Sequence, residues 1–169
     1  IQGSRVTGRL GTIFGVFDGH GGTHAAEFAA KHLPNNVSQL YAQKAGGSTP
    51  GILRPGMGGG SSGGGGGGEA KRQLAALEEA FPRTDRELLT FSRRKGFRDG
   101  TTALLVVVHG DSVSDLSLLC AHVGDCRAVL CRNGLAHRLT QDHRPDRRDE
   151  QQRIKAAGGG VFQIQGIWR

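Results

Sequence analysis

Apolar residues recur along this chain in two rhythms, and the change between them marks its organisation. Thr12 to Phe17, "TIFGVF", is a continuous apolar run too short for a helix and closed by a glycine cluster, which predicts a buried strand. Next, Ala25, Phe28, Ala29 and Leu33 fall at helical spacing behind Thr23, a candidate N-cap. This predicts a helix through about His32, with Pro34 marking its end and Glu27 and Lys31 as an i,i+4 pair. Helical spacing returns at Ala70, Leu74, Leu77 and Phe81, where Pro82 is expected to kink or break the helix. "TDRE", Thr84 to Glu87, matches a capping box that would restart it.

From Thr101 the rhythm changes to apolar runs: Thr101–His109, Leu116–Val123, Arg127–Arg132 and Leu135–Leu139. Gly110-Asp111 and Asn133-Gly134 stand between runs as hairpin turns, so the runs predict an antiparallel meander. The next segment has Asp146 as N-cap, Asp149 and Glu150 in the first turn, Lys155 near the end and Gly158 at the C-cap. That is the charge order a helix dipole favours. Val161 to Trp168 predicts a last strand.

Between the helical segments runs "GGSTPGILRPGMGGGSSGGGGGG", Gly46 to Gly68, which offers almost nothing to bury. A flexible surface insertion is expected there. It need not separate two domains, because long insertions add little loop-closure entropy. With 169 residues and 36% hydrophobic content, one core is the expectation.

The longest apolar run, "ALLVVV" from Ala103 to Val108, is far shorter than the roughly 20 residues of a membrane helix, so no membrane partner is expected. Cys120, Cys126 and Cys131 lack the paired spacing of a zinc site and read as reduced thiols. An intracellular protein is therefore expected, in cytoplasm, nucleus or an organelle. A net charge of +7 favours anionic partners. "RRKGFR", Arg93 to Arg98, interleaves only Phe97 with its cations and matches no nucleic-acid motif. That run, like Arg144, Arg147, Arg148 and Arg153, reads as solvated helix surface, and no nucleic-acid partner is expected.

Chemistry concentrates at "FDGHGG". An acid at the end of a buried strand is held rigidly at a sheet's rim, and glycines let the backbone approach a ligand. Asp18 and the Gly19 carbonyl offer the oxygens that a hard cation such as Mg²⁺ or Mn²⁺ takes; the same residues also make an ordinary Asp-Gly turn. His20 adds a group able to donate a proton to a leaving oxygen. Asp125 in "HVGDCRAVLCRNG" repeats the strand-end setting of Asp18.

"FGVFDGHGG", "DGTTALLVVV", "HVGDCRAVLCRNG" and "LTQDHRPDRRDEQQRIKAAGGGV" follow one another in an order that resembles the metal-dependent protein serine/threonine phosphatases of type 2C, the plant and mitochondrial branches most closely. The resemblance implies an α+β fold, two antiparallel sheets packed as a sandwich flanked by helices, present here only in part: residues 1–169 would be an N-terminal portion, with 46–68 an insertion. It implies two Mg²⁺ or Mn²⁺ ions, Asp18 bridging them, the Gly19 carbonyl on one and Asp125 on an additional, weaker ion. It implies further that water attacks phosphorus, that His20 protonates the departing oxygen and that Arg5 in "QGSR" holds the phosphate of a phosphoserine or phosphothreonine protein. This sequence has no acid between Arg5 and Asp18, where the family carries an acidic pair, and lacks the family's further C-terminal aspartates. The expectation is a signalling phosphatase fragment of reduced or no activity; the alternative is a catalytically dead phosphoprotein-binding module.

Overall fold

The computed structural model of the chain describes residues 1–8, 10–45, 66–110 and 112–168. In order these form β1 (Gln2–Gly8), β2 (Gly11–Phe17), β3 (Gly19–His20), α1 (His24–Ala45), α2 (Gly66–Lys95), β4 (Gly100–Thr101) and β5 (Ala103–His109). There follow β6 (Ser117–Val123), β7 (Val129–Arg132), β8 (Leu135–Arg138), α3 (Arg148–Ala156), β9 (Gln163–Ile164) and β10 (Ile167–Trp168).

The expected class, antiparallel sheet with helices against it, is what forms. One four-stranded antiparallel sheet runs β1-β2-β5-β6, and the other strands make three two-stranded ribbons. No second large sheet forms among the described residues, so the sandwich is represented by one sheet and its helical cover.

Strand alternation decides where the core lies. Ile13 and Phe17 of β2 point to one face, joined by Leu105 and Val107 of β5 through the pairs Gly15↔Leu105 and Ile13↔Val107. Against that face pack Ala26, Ala29, Leu33, Val37 and Leu40 of α1, with Ala76, Leu77 and Ala80 of α2. On the opposite face, Phe14, Val16 and Leu118 are each more than two-fifths exposed.

The helices depart from the sequence expectation at both prolines. α1 does not end near His32 but continues through Pro34 to Ala45. An interior proline costs about 3 kcal/mol, whereas burying Leu33, Val37 and Leu40 contributes about 1.5–3 kcal/mol each, so packing wins. Side chains also occupy carbonyls around Pro34: Asn35 Nδ2 donates to Lys31 O at 2.7 Å, and Ser38 Oγ to Pro34 O at 3.0 Å. α2 likewise runs unbroken past Pro82. Thr84 is therefore not a cap: it lies buried inside α2, donating to Ala80 O at 2.8 Å and accepting from Asn36 Nδ2 at 2.9 Å. Asn36 also donates to Glu87 Oε2 at 2.8 Å, so the buried polar group between the helices is satisfied.

The last three residues of the Gly46–Gly68 insertion form the first turn of α2; 46–65 lie outside the described residues. The expected meander forms only as two antiparallel pairs, β5 with β6 in the main sheet and β7 with β8 in a separate ribbon, with no pairing between β6 and β7 among the described residues. Asn133 (φ 52°) with Gly134 (φ 76°) makes the expected turn between β7 and β8. Gly110 instead opens a longer connection with a 3₁₀ turn at Val113–Asp115, Asp111 lying outside the described residues. A Cβ at Gly110 would lie 2.3 Å from Asp115 O, so the chain folds back there as only glycine allows. α3 begins at Arg148, with Arg147 rather than Asp146 at its N-cap. It closes in a Schellman motif, with Gly159 N donating to Ile154 O at 2.9 Å and Gly158 N to Lys155 O at 3.0 Å. The tail predicted as one strand is a hairpin, β9 and β10, because Gln165 (φ 50°) and Gly166 (φ 80°) reverse it. No helix among the described residues is long and apolar enough to cross a membrane.

Candidate active site

β2 and β6 lie on either side of β5, and both run antiparallel to it. Their C-terminal ends therefore emerge at the same edge of the sheet, beside the start of β5. Asp18 leaves β2 there, and Gly124-Asp125 leaves β6. Thr102 holds both ends. Its amide donates to Asp18 O at 3.0 Å, and its hydroxyl accepts from Asp18 N at 3.3 Å. Its methyl presses on Gly124, where a Cβ would lie 2.7 Å away. Gly124 has φ 90°, so glycine is required there twice over.

The two carboxylates are exposed, and neither forms an ion pair among the described residues. Cys126, next to Asp125, anchors that turn by bonding to Ala103 O at 3.2 Å and Val123 O at 3.3 Å. Burial above all pushes its thiol pKa up, so it is a structural thiol rather than a nucleophile.

The turn after Asp18 is clamped from across the sheet. Gly19 and His20 pair with Thr101 and Gly100. The His20 ring sits directly on Gly100, where a Cβ would meet Nε2 at 2.6 Å. Asp99, in the same "DGTT" stretch, reaches the N-terminus of α1: its Oδ2 accepts from Ala25 N at 3.0 Å and lies 3.5 Å from His24 Nδ1. Its side chain is 1% exposed, and a Cβ at Gly22 would lie 2.9 Å from Oδ2. Burial raises the Asp99 pKa, but the Ala25 amide and its other backbone bonds outweigh burial and leave the carboxyl below its usual range. No local pattern in the sequence signals this role of Asp99, since its partner is 74 residues away.

A second cluster supports Asp125. His143 N donates to Gly124 O at 2.9 Å, and the His143 ring stacks on His122 at 4.4 Å. Burial, with the charge of His143, lowers the His122 pKa and favours its neutral form. Asp142 next door is buried and accepts Arg127 through both oxygens, at 3.1 and 2.6 Å, and Arg138 at 2.6 Å. Hydrogen bonding to Arg127 dominates and lowers the Asp142 pKa from 3.8 to about 2. A lowered folded-state pKa contributes stability above the unfolded value of 3.8, which is lost as pH falls through about 2. Asp142→Asn is thus expected to lower the urea midpoint at neutral pH, with the gap to wild type closing between pH 3.8 and about 2. A gap constant with pH would show that Asp142 acts by packing alone.

Arg5 is the one expected site residue that is not brought to this edge. It pairs with Phe14 in mid-strand, its guanidinium 5.7 Å from that ring's centroid. Phe14 lies four residues before Asp18, about 13 Å along the strand.

Hard oxygen donors at Asp18, the Gly19 backbone and Asp125 fit an ion of the Mg²⁺ kind, which takes one or two carboxylates and keeps several waters. They do not make a closed cage, for no group of three or more His, Cys, Asp or Glu suited to metal occurs among the described residues.

Residues 9–169 match the family model described as Protein phosphatase 2C. The chain is 36% identical over 158 residues to "Probable protein phosphatase 2C 14" of Arabidopsis thaliana, covering 94% of this chain and 28% of that protein. It is 40% identical over 161 residues to "Probable protein phosphatase 2C 2" of Arabidopsis thaliana, covering 93% of this chain and 33% of that protein. It thus spans about a third of the length of these relatives. Among solved structures, a C. elegans sex determining protein superposes with a TM-score of 0.65 at 23% identity, over 94% of this chain and 32% of that one. That likeness bears on the fold.

Proposed function

Since the chain belongs to the protein phosphatase 2C family, we propose that it carries the Asp18 edge of a metal-dependent protein serine/threonine phosphatase. One observation carries the reading: Thr102 holds the ends of both acid-bearing strands, bringing Asp18 and Asp125 to one sheet edge. Asp18, the Gly19 carbonyl and Asp125 would hold Mg²⁺ or Mn²⁺. Bound there, the ions would supply positive charge for the phosphoryl oxygens and acidify water.

The chain's own residues supply the rest. In hydrolysis a P–O bond forms to water as the P–O bond to serine or threonine breaks, and the departing oxygen needs a proton. The His20 imidazole, exposed beside Asp18 and seated on Gly100, is the donor. Asp99 orders the glycine turn between His20 and α1, so the donor is presented from a fixed backbone. The substrates are phosphoserine and phosphothreonine proteins.

Phosphopeptide turnover with Mn²⁺, before and after chelation, tests this: activity should appear with metal and vanish with chelator. Turnover that persists in chelator overturns the metal-dependent reading. The small number of metal-ligating side chains at this edge among the described residues favours a second reading, a phosphoprotein-binding module without hydrolysis. Phosphopeptide binding with no turnover at any Mn²⁺ concentration would establish it.

A further inference from the structure

α1 and α2 pack antiparallel, as the contacts Lys44–Glu79, Asn36–Thr84 and Phe28–Phe91 show. Towards the α1 N-terminus their outer seam opens into two adjoining hollows that share Phe91. One, of about 460 Å³, is lined by His24, Phe28, Lys31 and His32 with one acid, Glu27; the other, of about 380 Å³, by Arg83, Arg86, Thr90 and Arg94 with one acid, Glu87, which Arg83 neutralises, so cations outnumber acids along the groove. The floor is aromatic. Phe28 stacks on His32 at 4.0 Å and on Phe91 at 5.1 Å; Phe91 meets Phe97 edge-on at 5.5 Å; and Phe97 stacks on His24 at 4.9 Å.

The rim is basic beyond what folding uses. Arg83 is occupied by Glu87 at 3.1 Å. Lys31, Arg86 and Arg94 are exposed and form no ion pair among the described residues. Arg94 in the last turn suits the helix dipole, an effect that fades within one turn, and Arg86 adds only a weak, distant charge to Glu79, which Lys44 already pairs. Beyond the seam, Arg93, Lys95 and Arg98 add exposed positive charge.

We propose that this groove docks an acidic segment of a partner protein that carries one large apolar side chain. The cations face the acids, and the apolar side chain enters the hollow beside Phe91. The rings stack chiefly on one another, so fewer faces are free for stacking bases. The groove starts at His24, four residues after His20, on the helix whose N-terminus Asp99 ties to the Asp18 edge. On the phosphatase reading above, on which this role rests, the docked segment belongs to the substrate and lies apart from its phosphorylated residue. It lowers KM without touching phosphorus.

The probe is a short fluorescein-labelled peptide of Glu and Asp around one Trp, titrated with the purified protein by anisotropy. Arg86→Glu with Arg94→Glu changes exposed residues only, and its thermal melt verifies the fold. The double variant is expected to bind at least about tenfold more weakly. Replacing the peptide's Trp by Ala should also weaken binding, and a Lys-based peptide should not bind. Equal binding by wild type and double variant overturns the proposal. So does tighter binding of a single-stranded RNA or of phosphatidylserine vesicles that displaces the peptide. Turnover of para-nitrophenyl phosphate with Mn²⁺ is run alongside and should be the same in both proteins. If neither turns it over, the enzymatic reading fails while the peptide titration still decides docking.

Discussion

Phe17→Ala should lower the unfolding free energy by about 3–5 kcal/mol, the range for deleting a fully buried aromatic ring. Phe17 is 0% exposed at the end of the central strand β2, its ring so close to Gly15 that a Cβ there would lie 2.7 Å from it. Neighbours already fitted to α1 and to Leu105 collapse only in part around such a hole. For a chain of this size the midpoint should fall on the order of 10 °C. Phe14, on the same strand but 43% exposed on the opposite face, is the control, and its alanine variant should lose about 1 kcal/mol. Urea unfolding of both variants makes the comparison. Equal losses would mean that the sheet buries both faces alike and that the helical layer is not its main cover.

How much of this was legible in the sequence depends on the range of the interaction. The meander splits into two hairpins because β6 and β7 do not pair, whereas the run from Thr12 to Phe17 and the Asn133-Gly134 turn are set by neighbours a few residues apart and form as read. So do the strand-end positions of Asp18 and Asp125, since both follow from where apolar runs stop. Pro34 and Pro82 misled because local chemistry argues for a break, whereas Leu33, Val37 and Leu40 repay continuation only once the sheet is present. Thr84 looked like a cap for the same reason; its true partner, Asn36, is 48 residues away. Asp99 lies in the "DGTT" stretch with no task legible there, because nothing near it in the chain shows that it meets Ala25. Only four residues of similarity point to Arg5, and its position opposite Phe14 is a matter of strand register, which such a short stretch does not specify.

The sharpest separation of roles at the site lies between Asp18 and His20, which are two residues apart. Asp18→Asn removes the charge that would hold a divalent ion, so Mn²⁺ affinity should fall at least about 100-fold, the upper end of what losing an outer-shell partner alone costs. Turnover of every phosphate ester should fall with it. His20→Gln leaves the carboxylates and the Gly19 carbonyl in place, so Mn²⁺ binding measured by calorimetry should not change. Its effect should depend on the leaving group. A serine or threonine oxygen needs a proton to depart, so phosphopeptide kcat should drop by about 10²–10⁴-fold. Para-nitrophenolate leaves readily without one, so that substrate should be far less affected. Asp99 supplies an independent check, because it orders the turn without facing the edge. Asp99→Ala should slow both esters to the same degree and lower the melting temperature, whereas His20→Gln should do neither. If His20→Gln loses Mn²⁺ as Asp18→Asn does, or slows both esters equally, then His20 is not the acid and its seat on Gly100 serves only to shape the turn.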